Sequence, residues 1–283
     1  MTSKIYDCFT FYNEFDLLDI RLAELYTKVD HFVIVESNQT FTNKPKPWNF
    51  DIARYPQYAD KIIYIQVTDM PGSGNPWDNE IHQRNAILRG IVDAEDDDIV
   101  IVSDADELIR PQAIDHMRTS EQYIFALRMP LYNFKFNYMR VSEGKYDVWA
   151  MAVRKSAFAD ITPNSLRDLR FNFFGTPYQY CNDGCEVVEH AGWHFGYMGD
   201  NDMLRDKAQS FSHQEVNRPE FLAQIDIETS IAQRTDWGHN GVDRYEIVEL
   251  DDYFPQTLRT KPQFILDNAG VKSLALLPDF PYN

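Results

Sequence analysis

The chain has 283 residues, 44% of them hydrophobic and 25% charged, with only 12 Gly and 14 Pro. That composition describes a globular protein with a large core and excludes collagen-like, mucin-like and largely disordered chains. Lys and Arg number 27 against 44 Asp and Glu, and the net charge of −17 repels phosphate backbones and anionic lipid, so no nucleic-acid partner is expected.

In chain order, Lys4 to Phe11 reads as a strand. Asn13 to Val29 follows with Leu17, Leu18, Ile20, Leu22, Leu25 and Tyr26 at helical spacing, Asn13 serving as its cap; His31 to Glu36 is a second buried strand. A third strand is expected at Ile62 to Val67. A Pro-Gly-Ser-Gly loop at 71–74, a helix over Asn79 to Asp93 and a fourth strand at Ile99 to Val102 come next. This alternation predicts an α/β fold, a Rossmann-like and mostly parallel sheet with helices on both faces, in a single domain. After residue 110 the pattern weakens. Segments 122–136 and 146–158 are aromatic and strand-like, 161–186 is turn-rich, and 202–213 reads as a helix.

No segment approaches the roughly 20 consecutive apolar residues of a membrane span, and MTSKIYDCF lacks a secretory apolar core, so a soluble, cytoplasmic chain is expected. Three cysteines, Cys8, Cys181 and Cys185, are too few for a disulfide framework, although a Cys181 to Cys185 bridge is open to the chain. Cys181, Cys185, His190 and His194 also contain four zinc-ligand types, but the gap between the Cys and His pairs is too short for a usual finger.

The chemistry concentrates in DDDIVIVSDADELIRP, residues 96–111. Four β-branched residues, Ile99 to Val102, mark a central strand, and ligands of parallel sheets bind beyond the strands' carboxyl ends. Asp104 and Asp106 are two apart; in an extended chain both carboxylates face one side, where a divalent cation, Mn²⁺ or Mg²⁺, offsets their repulsion. An acidic turn leading into a helix is the bland alternative. Trp48, Trp77, Trp149 and Trp193 are candidates for stacking on sugar rings or for ordinary core packing.

This D-x-D resembles the metal motif of nucleotide-sugar glycosyltransferases with the GT-A fold. With IVSDADE, the segments YDCFTFYNEFDLLDIRLAELY (6–26), FVIVESNQTFTNKPKPWNF (32–50), WDNEIHQRN (77–85) and AGWHFGYMG (191–199) are similar to family 17 glycosyltransferases. The resemblance implies a GT-A domain over 1–215, a nucleotide-binding half at 1–110 and an acceptor and metal-completing half at 111–215, with 216–283 an extension packed on the same domain. It implies an inverting, metal-dependent transfer of a sugar, GlcNAc foremost, from a UDP-sugar donor to a glycan or glycoconjugate acceptor. Phe11, Tyr12, Asn13 and Glu36 are then expected at the uridine, with Glu36 accepting the uracil N3 hydrogen. Arg84, flanked by Gln83 and Asn85, is expected at the nucleotide. His194 is expected to complete the metal shell, with His213 as competitor, and Lys207 to grip phosphate. The base is expected at Asp202, with Asp200 and Glu189 behind it. Two rival readings are a haloacid-dehalogenase-like phosphatase, which also places D-x-D after a buried strand, and a non-catalytic sugar-binding module.

Overall fold

The computed structural model describes residues 3–142, 146–172, 184–237 and 243–270. Strand β1 (Ile5–Thr10), helix α1 (Phe15–Leu25) and β2 (His31–Ser37) form the first β-α-β unit. Then come β3 (Ile62–Val67), α2 (Pro76–Asn85), a 3-10 turn over Ala86–Gly90, and β4 (Ile99–Asp104). These strands lie side by side as β3-β2-β1-β4, all parallel. The second half adds β5 (Glu107–Ile109), α3 (Pro111–Thr119), β6 (Ile124–Asn133), β7 (Tyr138–Arg140), β8 (Tyr146–Arg154), α4 (Pro163–Asp168), β9 (Cys185–Val188), β10 (Gly192–Gly196) and α5 (Asn201–Ser210). Strand β8 runs antiparallel between β4 and β6, while β9 and β10 pair parallel with β6. The chain continues through α6 (Pro219–Leu222), α7 (Ile227–Gln233), β11 (Tyr245–Ile247) and α8 (Pro262–Asn268). This is the α/β architecture that the alternating first hundred residues predict.

Strand periodicity divides the core into two layers. Ile5, Phe9, Phe32, Ile34, Ile99 and Ile101 face one side, where Leu18, Leu22 and Leu25 of α1 cover them. Tyr6, Cys8, Val33, Val35, Val100 and Val102 face the other, under Ala86, Ile87, Ile91 and Leu166. Leu250, Phe254, Leu258 and Ile265 share a buried cluster with Leu17, Ile20, Trp193 and Phe195. Among the described residues no helix is long and apolar enough to cross a membrane.

Three local expectations change. Helix α1 begins at Phe15 with Glu14, not Asn13, at the cap position, and Glu14 makes no side-chain cap bond; its carboxylate turns back to the amides of Tyr12 and Asn13. Helix α2 starts earlier than Asn79, because Asn75 accepts from the Trp77 amide and Pro76 occupies the first turn. The chain is not extended from Asp104 to Asp106: residues 105 and 106 form a turn between β4 and β5.

Candidate active site

The turn after β4 gives the two aspartates different partners. Asp104 continues the alternation of Val100 and Val102, so its side chain points to the layer of α2 and α4. There Arg84 Nη2 of α2 donates to Asp104 Oδ1 at 3.1 Å, and Arg167 Nη2 of α4 donates to Oδ2 at 2.7 Å. Burial opposes ionisation, yet the Arg167 and Arg84 guanidiniums hold the Asp104 carboxyl well below the usual carboxylate range. Arg167 also donates to Glu107 Oε1, whose Oε2 accepts from the Asp104 amide at 2.9 Å.

Asp106, past the turn, faces other partners. Lys207 Nζ of α5 donates to its Oδ2 at 2.9 Å, and His194 Nε2 of β10 lies 3.7 Å from its Oδ1. The β10 to β5 ladder sets His194 opposite Glu107. Gly192 permits that register, because a Cβ there would lie 2.0 Å from the Leu108 carbonyl oxygen. Asp106, Glu107 and His194 offer ligand atoms within 4.8 Å of one another. Despite its burial, the Asp106 carboxyl is lowered by Lys207 and His194, while burial lowers His194 and favours the neutral, ligating imidazole. His194 Nδ1 is buried with no hydrogen-bond partner. Carboxylate oxygens plus one imidazole suit Mn²⁺ or Mg²⁺.

Asp104 and Asp106 both line an open cleft of about 950 Å³ at the carboxyl ends of the parallel strands, as do Phe11, Tyr12, Arg84, Lys207 and His213. A second cavity of about 790 Å³ adjoins it and is lined by Asn13, among others. Trp77 is 40% exposed and lines the cleft, its ring edge-on to His213 at 4.6 Å, whereas Trp193 is core.

Several expected roles do not match the geometry. Asp104 does not join Asp106 in a ligand grouping; among the described residues the grouping is Asp106, Glu107 and His194. Glu36 is fully buried and lines neither cavity. Lys46 Nζ, the amides of Asn49 (2.7 Å) and Phe50 (3.0 Å), and the Tyr64 hydroxyl (2.7 Å) already donate to it, so it anchors loop 46–50 instead of reading a base. Asn85 accepts from the Asn164 amide and lies off the cleft. His213 is half-exposed and bonded to Glu215, with no D-x-D carboxylate in contact. Asp202 is 92% exposed and pairs with Arg205; Asp200 caps α5; Glu189 pairs with Arg128. None of these three lines either cavity. Cys181 lies outside the described residues, and neither Cys185 nor His190 enters the ligand grouping.

Four site residues escaped the sequence reading. Arg167 and Arg170 sit in the turn-rich stretch 161–186, though Thr162-Pro163-Asn164-Ser165 carries a helix-start signature; Thr162 and Ser165 cap each other there. Arg170 lines the cleft, and burial with neighbouring Arg167 lowers it to about 10. Glu107, within the same motif, carries no role in the sequence pattern, yet it is one of the three ligand-bearing groups here. Glu14 lines both cavities, and burial, reinforced by Asp106, raises its carboxyl against the pull of Lys207.

The model of glycosyltransferase family 17 matches residues 1–250. The β-1,4-mannosyl-glycoprotein 4-β-N-acetylglucosaminyltransferases of Homo sapiens and Rattus norvegicus are each 29% identical over 136 residues, covering 43% of this chain and 26% and 25% of theirs. The match thus spans about a quarter of the length of these relatives. Among solved structures, glucosyl-3-phosphoglycerate synthase of Mycobacterium tuberculosis, in complex with Mn²⁺, UDP and phosphoglyceric acid, shares 12% identity over 90% of this chain and 91% of its own, at a TM-score of 0.39. A galactosyltransferase in complex with donor and acceptor sugar analogues shares 11% over 65% and 73%, at 0.35. Scores this low carry no conclusion, but the family match covers most of the sequence and displaces the phosphatase and binding-module readings. The chain belongs to glycosyltransferase family 17.

Proposed function

We propose that the chain transfers N-acetylglucosamine from UDP-GlcNAc to a glycan hydroxyl, with inversion and with a divalent cation at Asp106 and His194. The relatives' names support the sugar and a glycan acceptor. The observation that carries the reading is the meeting of Asp106, Glu107 and His194 just past the carboxyl end of β4, where Asp106 and its partner Lys207 line the cleft. Asp106 Oδ1 and His194 Nε2 are the natural ligands, because Glu107 is already held by Arg167 and the Asp104 amide. When bound, the cation offsets charge on the departing diphosphate.

The chain's own groups do the remaining work. Lys207 and Arg170 present positive charge to the cleft in a protein of net charge −17, which lowers the cost of admitting a diphosphate. Asp104 accepts from Arg84 on one oxygen and from Arg167 on the other, so the Arg84 guanidinium at the cleft is set in place before substrate arrives. Tyr12, past the end of β1, offers a flat face to the uridine, while Phe11 is packed in the core beneath it.

Thermal denaturation with UDP, with and without Mn²⁺, tests the reading. Ligand at about 100 times its dissociation constant adds about 2.7 kcal/mol of stability. The expected result is a shift that needs both UDP and metal, followed by UDP release from UDP-GlcNAc above other UDP-sugars. A shift indifferent to Mn²⁺ and to Asp106→Ala overturns the metal assignment.

A further inference from the structure

Two cavities meet at three side chains: Glu14, Asp106 and Lys207 line both. The first is the cleft assigned to the donor. The second is different in character, walled by Phe136, Phe195, Met198 and Phe264, with Asn13, Asp16 and Asn268 as polar groups beside the shared three. Apolar surface beside amide groups suits a saccharide, whose ring has C–H faces and hydroxyl edges. We propose that this second cavity takes the acceptor saccharide, and that Glu14 is the carboxylate that accepts the proton of the attacking hydroxyl.

The position of Glu14 follows from the entry into α1. Its Oε2 accepts from the amides of Tyr12 and Asn13, both at 3.0 Å, which fixes the carboxylate. Oε1 accepts no hydrogen bond among the described residues and remains available at the junction. Asp202, Asp200 and Glu189 line neither cavity. Asp106 and Lys207, which do, already bond each other. The inference rests on the transferase reading above. In the step, an acceptor oxygen lone pair forms the bond to the anomeric carbon, and the bond from that carbon to the β-phosphate oxygen breaks. Its electron pair leaves on UDP, and the hydroxyl proton passes to Glu14 Oε1.

Azide separates base catalysis from donor binding, because it attacks without losing a proton. With UDP-GlcNAc, Glu14→Gln is expected to lower hydrolysis and transfer to methyl glycosides of mannose, glucose and galactose by about 10²- to 10⁴-fold. Azide-dependent UDP release and formation of glycosyl azide should stay within about threefold of the unaltered chain. Hydroxyl transfer at the original rate, or loss of the azide reaction along with transfer, overturns the role of Glu14. Asn268→Trp, which fills the second cavity without touching the first, is expected to abolish glycoside transfer and saturation-transfer signals while UDP binding is kept. Undiminished glycoside signals overturn the acceptor site. If the unaltered chain releases no UDP even with azide, the donor reading fails and takes this inference with it.

Discussion

Arg21 Nη1 donates to the main-chain carbonyl of Asp104 at 3.0 Å, so a buried side chain of α1 holds the turn that carries the acidic motif. The same guanidinium reaches the Glu107 carbonyl at 3.2 Å and the Ser103 hydroxyl at 2.6 Å, and forks onto Asp7 of β1 at 2.7 and 2.5 Å. Arg21 and Asp7 are both fully buried, with the Phe9 ring 4.1 Å from the guanidinium carbon. Alternation explains the contacts: Asp7 lies on the Ile5 and Phe9 face of β1, and Ser103 on the Ile101 face of β4, both beneath α1.

Removing one partner of such a pair strands the other. Arg21→Met is expected to destabilise the fold by about 3–5 kcal/mol in urea unfolding, because Asp7 stays buried without a counter-charge. Adding Asp7→Leu should recover much of that loss. Equal instability of single and double variants would contradict the pairing.

Asp106→Ala should lower transfer by at least about 10³-fold and remove the Mn²⁺-dependent part of the UDP thermal shift. His194→Ala should act in the same direction. His213→Ala, at a half-exposed ring bonded to Glu215, should leave the metal dependence intact. Metal titrations followed by UDP release check all three.

Glu36→Gln replaces one acceptor oxygen by a donor among four converging donors, and is expected to cost about 1–3 kcal/mol through loop 46–50. The preference for uridine over other nucleotides should not change in competition calorimetry. A lost preference would restore Glu36 to the base-binding site.

The Arg89 fork onto Asp69, at 2.8 and 2.7 Å, lowers the Asp69 carboxyl to about 2. Its folded value lies below the unfolded value of about 3.9, so its contribution is complete above pH ~4 and is lost as pH falls towards 2. Asp69 is 56% exposed, so the contribution is small and screened by salt. Carbon NMR titration should place the midpoint near 2, and Arg89→Ala should return it to about 3.9.

Legibility followed the range of the physics. Strand and helix periodicity is local, so β1 to β4, α1 and α5 were readable, as was the acidic motif behind four β-branched residues. The direction of each carboxylate was not. A two-residue turn sent Asp106 to Lys207 and His194 while strand alternation sent Asp104 to Arg84 and Arg167, partners up to 101 residues distant in the chain.

The amino-acid sequence by itself determined the element order, the place of the motif at the carboxyl end of a central strand and the family, because these depend on near-neighbour patterns and residue identity. Only the tertiary structure decided that Glu36 is saturated by its own loop, that Arg167 holds Asp104 while Arg170 borders the cleft, and that Glu14 stands between two cavities. Each of those facts depends on which distant side chains share a small volume, and burial and charge pairing are settled only when the layers close.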